Sequence, residues 1–328
     1  MVQRATAGFA TMPALVLALD PQFPLTSGTT MNAQLTAILF ATLASVFWAV
    51  GPFVAAPPLH RLGTFHFTRL SMVLAALLLL AIAVVRGGPP PSMAELPYLV
   101  ASSLFGLVVG DLLIWHGLKV LGPRRNGILF ALNIPFTLIL AFVFLDERST
   151  VGQVAGIVVA FLGIVVAIAF KTASTADERQ GRIVFEGIAA SVGGALCQAL
   201  GAVLAKPAFA AGLDPSWGAA WRVAFAAAVL WAVGWGRTDL PKGLLDRRTV
   251  FLLTLSTLLG PGLGLLALTV AVATGKVALA SMFSSLSPLL MLPIQAHLGI
   301  PPRGLAWVGC LVTMAGTALI LLAGGSGT

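Results

Sequence analysis

The sequence predicts an all-α membrane protein of ten transmembrane helices arranged as two inverted five-helix repeats. Three observations predict it. First, 58% of the 328 residues are hydrophobic and only 9% are charged, whereas a soluble domain carries about 25% charged residues to wet its surface. Second, the chain falls into ten apolar stretches near the roughly 20 residues a helix needs to cross a bilayer. Third, shifting the chain against itself by 153 residues superimposes Arg69 on Arg222, Gly122 on Gly275, Pro135 on Pro288, Gly156 on Gly309 and Gly163 on Gly316. Apolar coincidences are cheap in such a chain, but a lone membrane arginine and mid-helix prolines are not.

The ten stretches cover 34–56, 64–85, 97–118, 125–145, 151–170, 185–206, 215–235, 249–274, 277–298 and 304–323. Long, unalternating runs predict helices and not barrel strands, because a helix satisfies its own backbone in lipid. The breaks carry loop punctuation: Gly87-Gly88-Pro89-Pro90-Pro91, Gly122-Pro123-Arg124-Arg125, Asp146-Glu147-Arg148 and the polar stretch 171–182. The organisation is then an N-terminal extension over 1–32, a first repeat over 33–171, a linker over 172–183 and a second repeat over 184–324. The extension holds a short apolar patch, Phe9 to Leu19, broken by Pro13. That patch is too short to span, and Met31 directly precedes the first stretch. It is read as a disordered or misassigned extension in preference to a cleaved signal.

Five crossings leave the chain on the opposite side of the membrane, so the second repeat must insert upside down. Inverted repeats related by an in-plane axis are a recurrent carrier architecture, with the solute near the midplane between them.

The net charge of +8 raises nucleic acid as a partner, since basic chains neutralise phosphates. Here the 19 Lys and Arg are mostly scattered singly between apolar runs, so loops beside an anionic membrane explain the charge and no nucleic-acid partner is expected. Cys197 and Cys310 lie in separate apolar runs and read as small buried hydrophobes. No phosphate-binding glycine loop, no His-Glu-x-x-His pair and no ATPase domain occur in the sequence. No metal and no cofactor are therefore expected, and any transport must run on gradients.

Along the spans, a few polar residues and helix breaks stand out. The first span holds Trp48-Ala49-Val50-Gly51, and the second holds Arg69, preceded by His66 one turn earlier. In the third, Asp111 is followed one turn later by Trp115 on the same face, whereas His116 points about 100° away. The fourth carries Asn133 with Pro135, and the sixth carries Gln198. Arg222 stands early in the seventh, and Gly260-Pro261-Gly262 interrupts the eighth. Ser284-Ser285 and Ser287-Pro288 sit in the ninth, at a height matching Pro135. Proline removes a backbone hydrogen bond and can free carbonyls for a ligand. Interrupted spans in matching positions are a sequence pointer to a transport site, although serine back-bonds and kinks that only shape packing give the same pattern.

Ionisable groups within spans cost about 2.5–3.5 kcal/mol and usually face a cavity or a partner. Asp111 reads equally as a contact for a substrate amine, as a proton site, or as the ion-pair partner of Lys119 or Arg124. Arg69 and Arg222 read as snorkelling ties to loop carbonyls and headgroups in preference to anion contacts. The spacings Gly106–Gly110, Gly152–Gly156 and Gly260–Gly264 read as packing devices.

With these residues in place, the chain resembles the drug/metabolite transporter superfamily, specifically its EamA-type ten-helix members, over about residues 33–323. The residues that carry the resemblance are Phe67-Thr68-Arg69 and Ala220-Trp221-Arg222, Trp48 to Gly51, and the block Pro135, Asp146-Glu147, Gly152, Gln153, Gly156 and Gly163. The second copy keeps Pro288, Gly309 and Gly316 but has Gly299-Ile300 where an acid is usual. The inverted repeat and the broken spans, with this resemblance, point to a secondary transporter that exports a small metabolite such as an amino acid, expected in the bacterial cytoplasmic membrane, with a monomer as one option for its unit. Its rivals are a flippase for a lipid or lipid-linked sugar on the same fold, and a membrane-embedded enzyme. An enzyme needs clustered acid, base or metal groups, for which Asp111, His116 and His66 are too few and badly phased. The resemblance also implies cytoplasmic termini. The loops after spans 1, 3, 5, 7 and 9 hold most of the Lys and Arg, and the positive-inside rule implies the reverse. Strong activity of alkaline phosphatase fused after Thr328 would rule out a cytoplasmic C-terminus.

Overall fold

The computed structural model describes residues 30–169, 181–235, 246–287, 289–291, 293 and 304–325. The predicted extension and linker lie almost wholly outside them. Ten helical spans succeed one another: α1 Thr30–Leu62, α2 Thr64–Arg86, α3 Leu96–Gly122, α4 in two pieces (123–130 and Asn133–Leu145), α5 Val151–Ala169, α6 Gly181–Ala210, α7 Pro215–Val233, α8 Arg247–Thr274, α9 beginning with Val277–Ser284, and α10 Gly304–Gly325. Six of them (α1, α2, α3, α6, α7 and α8) are long and apolar enough to cross a membrane, and four shorter apolar helices complete the set. In the six, between 39% and 50% of the most apolar window is buried. The rest turns large side chains such as Leu77, Val84, Ile188 and Trp231 outward, which in water would be an aggregation surface and in a bilayer is the lipid face. The chain is an integral membrane protein.

Boundaries differ from the predicted ones where proline and glycine act. The apolar pattern predicts that the first span stops at residue 56, yet α1 runs through Pro52, Pro57 and Pro58 to Leu62. Proline is tolerated in membrane helices because neighbours re-satisfy the freed backbone groups. The break between α3 and α4 falls at Gly122, whose φ of 75° only glycine adopts readily. α4 is interrupted at 131–132 because Pro135 has no N–H to continue the ladder; the Ala131 carbonyl accepts from Ile134 N instead, at 3.1 Å.

Both repeats carry the same irregularities. A π-helical turn lies inside α3 at Leu104–Gly110 and inside α8 at Leu258–Gly262, which coincide under the 153-residue shift. α4 breaks at 131–132 and α9 at 285–286, one residue from coincidence. Packing is exchanged in the same way, for α1 lies against α8 as α3 lies against α6, while α2 pairs with α7 and α5 with α10. The α5–α10 crossing is self-reciprocal. A Cβ added to Gly156 would lie 2.8 Å from Gly316 O, and one added to Gly163 would lie 2.8 Å from Gly309 O. At its centre Thr313 Oγ1 reaches Ala160 O at 3.4 Å. Small residues let these backbones approach in the absence of a hydrophobic drive between helices in lipid. The two five-helix repeats are inverted about this axis.

The ends of the helices sort into two faces. On the face where α1, α3, α5 and α7 end, Arg61 in the last turn of α1 pairs with Asp246 at the start of α8. On the opposite face, where α1 begins and α10 ends, Arg86 lies 3.8 Å from Asp214, and Trp217 Nε1 donates to Gly87 O and Gly88 O.

Candidate functional site

A cavity of about 150 Å³ lies between the repeats, lined by α1, α3, α4, α6, α8 and α9. A water needs about 10–15 Å³ of such space, so the cavity has room for a small solute. Its lining includes Trp48, Asp111, Trp115, Gln198, Pro261 and Ser287 from the sequence-predicted set.

The π turn of α3 ends at Gly110, immediately before Asp111. Such a turn inserts one residue and re-aims the side chains beyond it; Gly110 permits it, since an added Cβ would sit 3.0 Å from Phe105 O. Asp111 Oδ1 accepts a hydrogen bond of 2.6 Å from Gln198 Nε2. Of the two ion-pair partners weighed for Asp111, Lys119 is exposed and the Arg124 side chain lies outside the described residues; the hydrogen-bonding partner seen comes from α6 of the other repeat. Trp115 lines the same cavity and its ring packs edge-on against Phe67, centroids 5.1 Å apart. Across from Asp111, Trp48 Nε1 donates to Gly260 O at 3.4 Å, a carbonyl in the π turn that Pro261 interrupts. Gly264 makes room for the same indole, as an added Cβ would lie 2.5 Å from Nε1. Gly260 has nothing within 4 Å and opens on the cavity, so only one glycine of that pair is a packing device.

The remaining predicted residues lie outside the lining. Arg69 and Arg222 are buried, at 3% and 5% exposure, and neither snorkels. The repeats use them differently. Arg69 stacks on Trp231 at 4.4 Å and lies 3.3 Å from His66 Nδ1. Arg222 approaches α3, where a Cβ added to Gly106 would lie 3.6 Å from its Nη2, and its charge acts on Asp111. Asn133 accepts from Thr137 Oγ1 at 2.8 Å within α4. Ser284 makes a back-bond of 3.0 Å to Ser281 O, the packing alternative. Pro135 sits in the first turn of its helix piece, and Pro288 lies outside the described residues.

Sequence reasoning missed Asn126, Ser256, Phe130 and Met291, all in the lining. Asn126 accepts from Ser191 Oγ at 2.8 Å and so joins α4 to α6. Its one signal was an uncharged polar residue between two arginines and an apolar run. Among the described residues no cluster of His, Cys, Asp and Glu could hold a metal ion.

The fold resembles that of a solved protein described only as a crystal structure of a protein, with a TM-score of 0.71 and 20% identity, covering 89% of this chain and 99% of that one. A 72-residue stretch is 36% identical to an uncharacterized transporter of Archaeoglobus fulgidus; the match spans 22% of this chain and about a quarter (26%) of the length of that relative. The model of the EamA-like transporter family matches twice, over 35–169 and 185–322, once for each repeat. On that double match, over most of its length, the chain belongs to the EamA-like transporter family.

Proposed function

We propose that the chain is a secondary transporter that exports a small metabolite, an amino acid or a similar compound, across the bacterial cytoplasmic membrane by alternating access. One observation carries this reading: a cavity is lined by helices of both repeats. Its residues on α1, α3, α4 and α8 fall in the middle of each helix or toward the face that bears Arg61 and Asp246. On the other face the helix ends are tied together. Glu147 accepts from Val277 N at 2.9 Å, Lys206 Nζ donates to Val272 O at 2.8 Å and Gly275 O at 2.7 Å, and Lys276 Nζ reaches Arg148 O at 2.8 Å.

A cavity that lies nearer one face, with helix ends joined by side-chain-to-backbone hydrogen bonds on the other, fits one end of a transport cycle. Two similar halves of opposite orientation supply the second end by exchanging their packing about the common axis. Two polar pairs beside the cavity cross between the repeats, Asp111 with Gln198 and Asn126 with Ser191, which limits the cost of carrying them there.

The test is reconstitution of the full chain in liposomes, followed by flux of a metabolite panel with and without an imposed pH gradient. Gradient-driven flux of a water-soluble solute is the expected result. Absence of flux across the panel, together with movement of a labelled lipid between leaflets, would replace this reading with a flippase.

A further inference from the structure

We infer that the transported solute carries a protonated amine and that Asp111 is its counter-ion in the cavity. This rests on the transport reading and names its substrate class. Among the described residues that line the cavity, Asp111 is the one ionisable group. The other polar lining groups, Asn126, Gln198, Ser256 and Ser287, are neutral. An anionic solute would therefore meet a carboxylate and, among the described residues, no lining cation, a desolvated like-charge contact that binding sites avoid. The buried Arg222 does not reverse this, because it is not part of the lining.

The surroundings of Asp111 suit an ammonium. Trp48, Trp115 and Phe130 line the same space, and aromatic faces attract a cation, more strongly when it is desolvated. Gln198 holds Oδ1 at 2.6 Å, which fixes the carboxylate while leaving Oδ2 without a hydrogen-bonding side chain among the described residues. A charge-assisted hydrogen bond to a carboxylate is about twice as strong as a neutral one. A solute that brings its own positive charge thus compensates a carboxylate that the membrane interior otherwise disfavours. A neutral solute of the same shape gives up that term.

The experiment titrates the purified full-length protein in detergent calorimetrically with two matched sets of probes. One set is phenethylamine, 2-phenylethanol and 3-phenylpropionate; the other is butylamine, butanol and butyrate. The amine is expected to bind at least about tenfold more tightly than the alcohol of its set, and the acid not to bind. Asp111→Asn should bring the amine down to the alcohol while leaving the alcohol within about twofold. Equal binding of amine and alcohol by the unaltered protein, tighter binding of the acid, or no binding of either amine would overturn the inference without recourse to any variant. Amine binding that depends on Asp111 in a protein without flux would sink the transport reading alone. Flux of non-amine solutes without amine binding would sink this inference alone.

Discussion

Gln198 Nε2 lies 2.6 Å from Asp111 Oδ1, joining α6 of the second repeat to α3 of the first near the middle of both helices. Removing the donor would leave a carboxylate oxygen unsatisfied in the low-dielectric interior. Hydrogen bonds to charged groups contribute about 1.5–3 kcal/mol, so Gln198→Leu should lower the unfolding temperature in detergent measurably. The double variant Gln198→Leu with Asp111→Asn should recover part of that loss, since the stranded charge is gone. Additive losses in this double-mutant cycle would show that the two side chains do not act as a pair.

The α5–α10 crossing depends on glycine. A Cβ added to Gly163 would lie 2.5 Å from both Thr313 N and Thr313 Oγ1, and one added to Gly156 would lie 2.6 Å from Ile320 Cγ1 and 2.9 Å from Ile320 N. Backbone atoms cannot step aside as a flexible side chain can, so Gly163→Ala should push the helices apart. Overpacking of this kind costs about 1–3 kcal/mol. Gly304→Ala at the start of α10, where nothing lies within 4 Å, serves as the control and should be neutral or mildly stabilising. Equal melting temperatures for the two variants would refute the close crossing.

These two cases mark what the sequence made legible. The ten spans and the repeat could be read, and Gly152–Gly156 could be marked as a packing device without its partner helix, because length, hydropathy and a constant shift are local or periodic properties. Asp111, Trp48 and Gln198 could be picked out because polar and aromatic side chains in apolar runs are rare. Their partners were not legible. The Asp111–Gln198 bond joins residues 87 apart, and nothing near Asp111 in the chain names α6. The arginines misled for a related reason. Position within two turns of a helix start suggests an escape to the headgroups, but Arg69 is covered by Trp231 from α7. Asn126 was passed over because it comes after Arg124 and Arg125 at a break, where an asparagine reads as loop.

The tied face makes a kinetic prediction. Lys206 caps the carbonyls that end α8, and Glu147 caps the first N–H of α9. Losing an N-terminal cap costs about 0.5–2 kcal/mol, and losing Lys206 strands carbonyls at a helix C-terminus. Lys206→Met should therefore shift the population toward opening on this face. With Cys197 and Cys310 replaced by alanine, a cysteine introduced as Ala273→Cys should react faster with an impermeant maleimide when Lys206→Met is added. One introduced as Ser256→Cys, on the cavity side, should react more slowly. Acceleration at both sites would mean simple loosening and no exchange between two states.

At the start of α8, outside the membrane, the Thr249 hydroxyl and the Arg248 backbone N–H, with Arg61 beside them, hold the Asp246 carboxyl below its ordinary value. A depressed folded value stabilises the fold above the unfolded value, about 3.9, and that stabilisation is lost as pH falls through the depressed one. The melting temperature of the unaltered protein should thus exceed that of Asp246→Asn at neutral pH, and the gap should close as the pH is taken below about 4. A gap that stays constant over that range would assign the effect to shape and not to charge.

The cavity itself can be filled without disturbing the packing around it. Gly51 and Gly260 both line it, and neither has a heavy atom within 4 Å of an added Cβ. Each sits in a helical segment, where replacing glycine by leucine regains most of the roughly 1 kcal/mol that glycine gives up in a helix interior. Gly51→Leu and Gly260→Leu should accordingly keep or raise the unfolding temperature while placing four carbons where the solute must sit. Flux in liposomes should fall by at least about tenfold, and amine binding should weaken in parallel, because both need the same space. Full flux with either leucine in place would mean that the solute crosses elsewhere, leaving the space between the repeats as a packing defect.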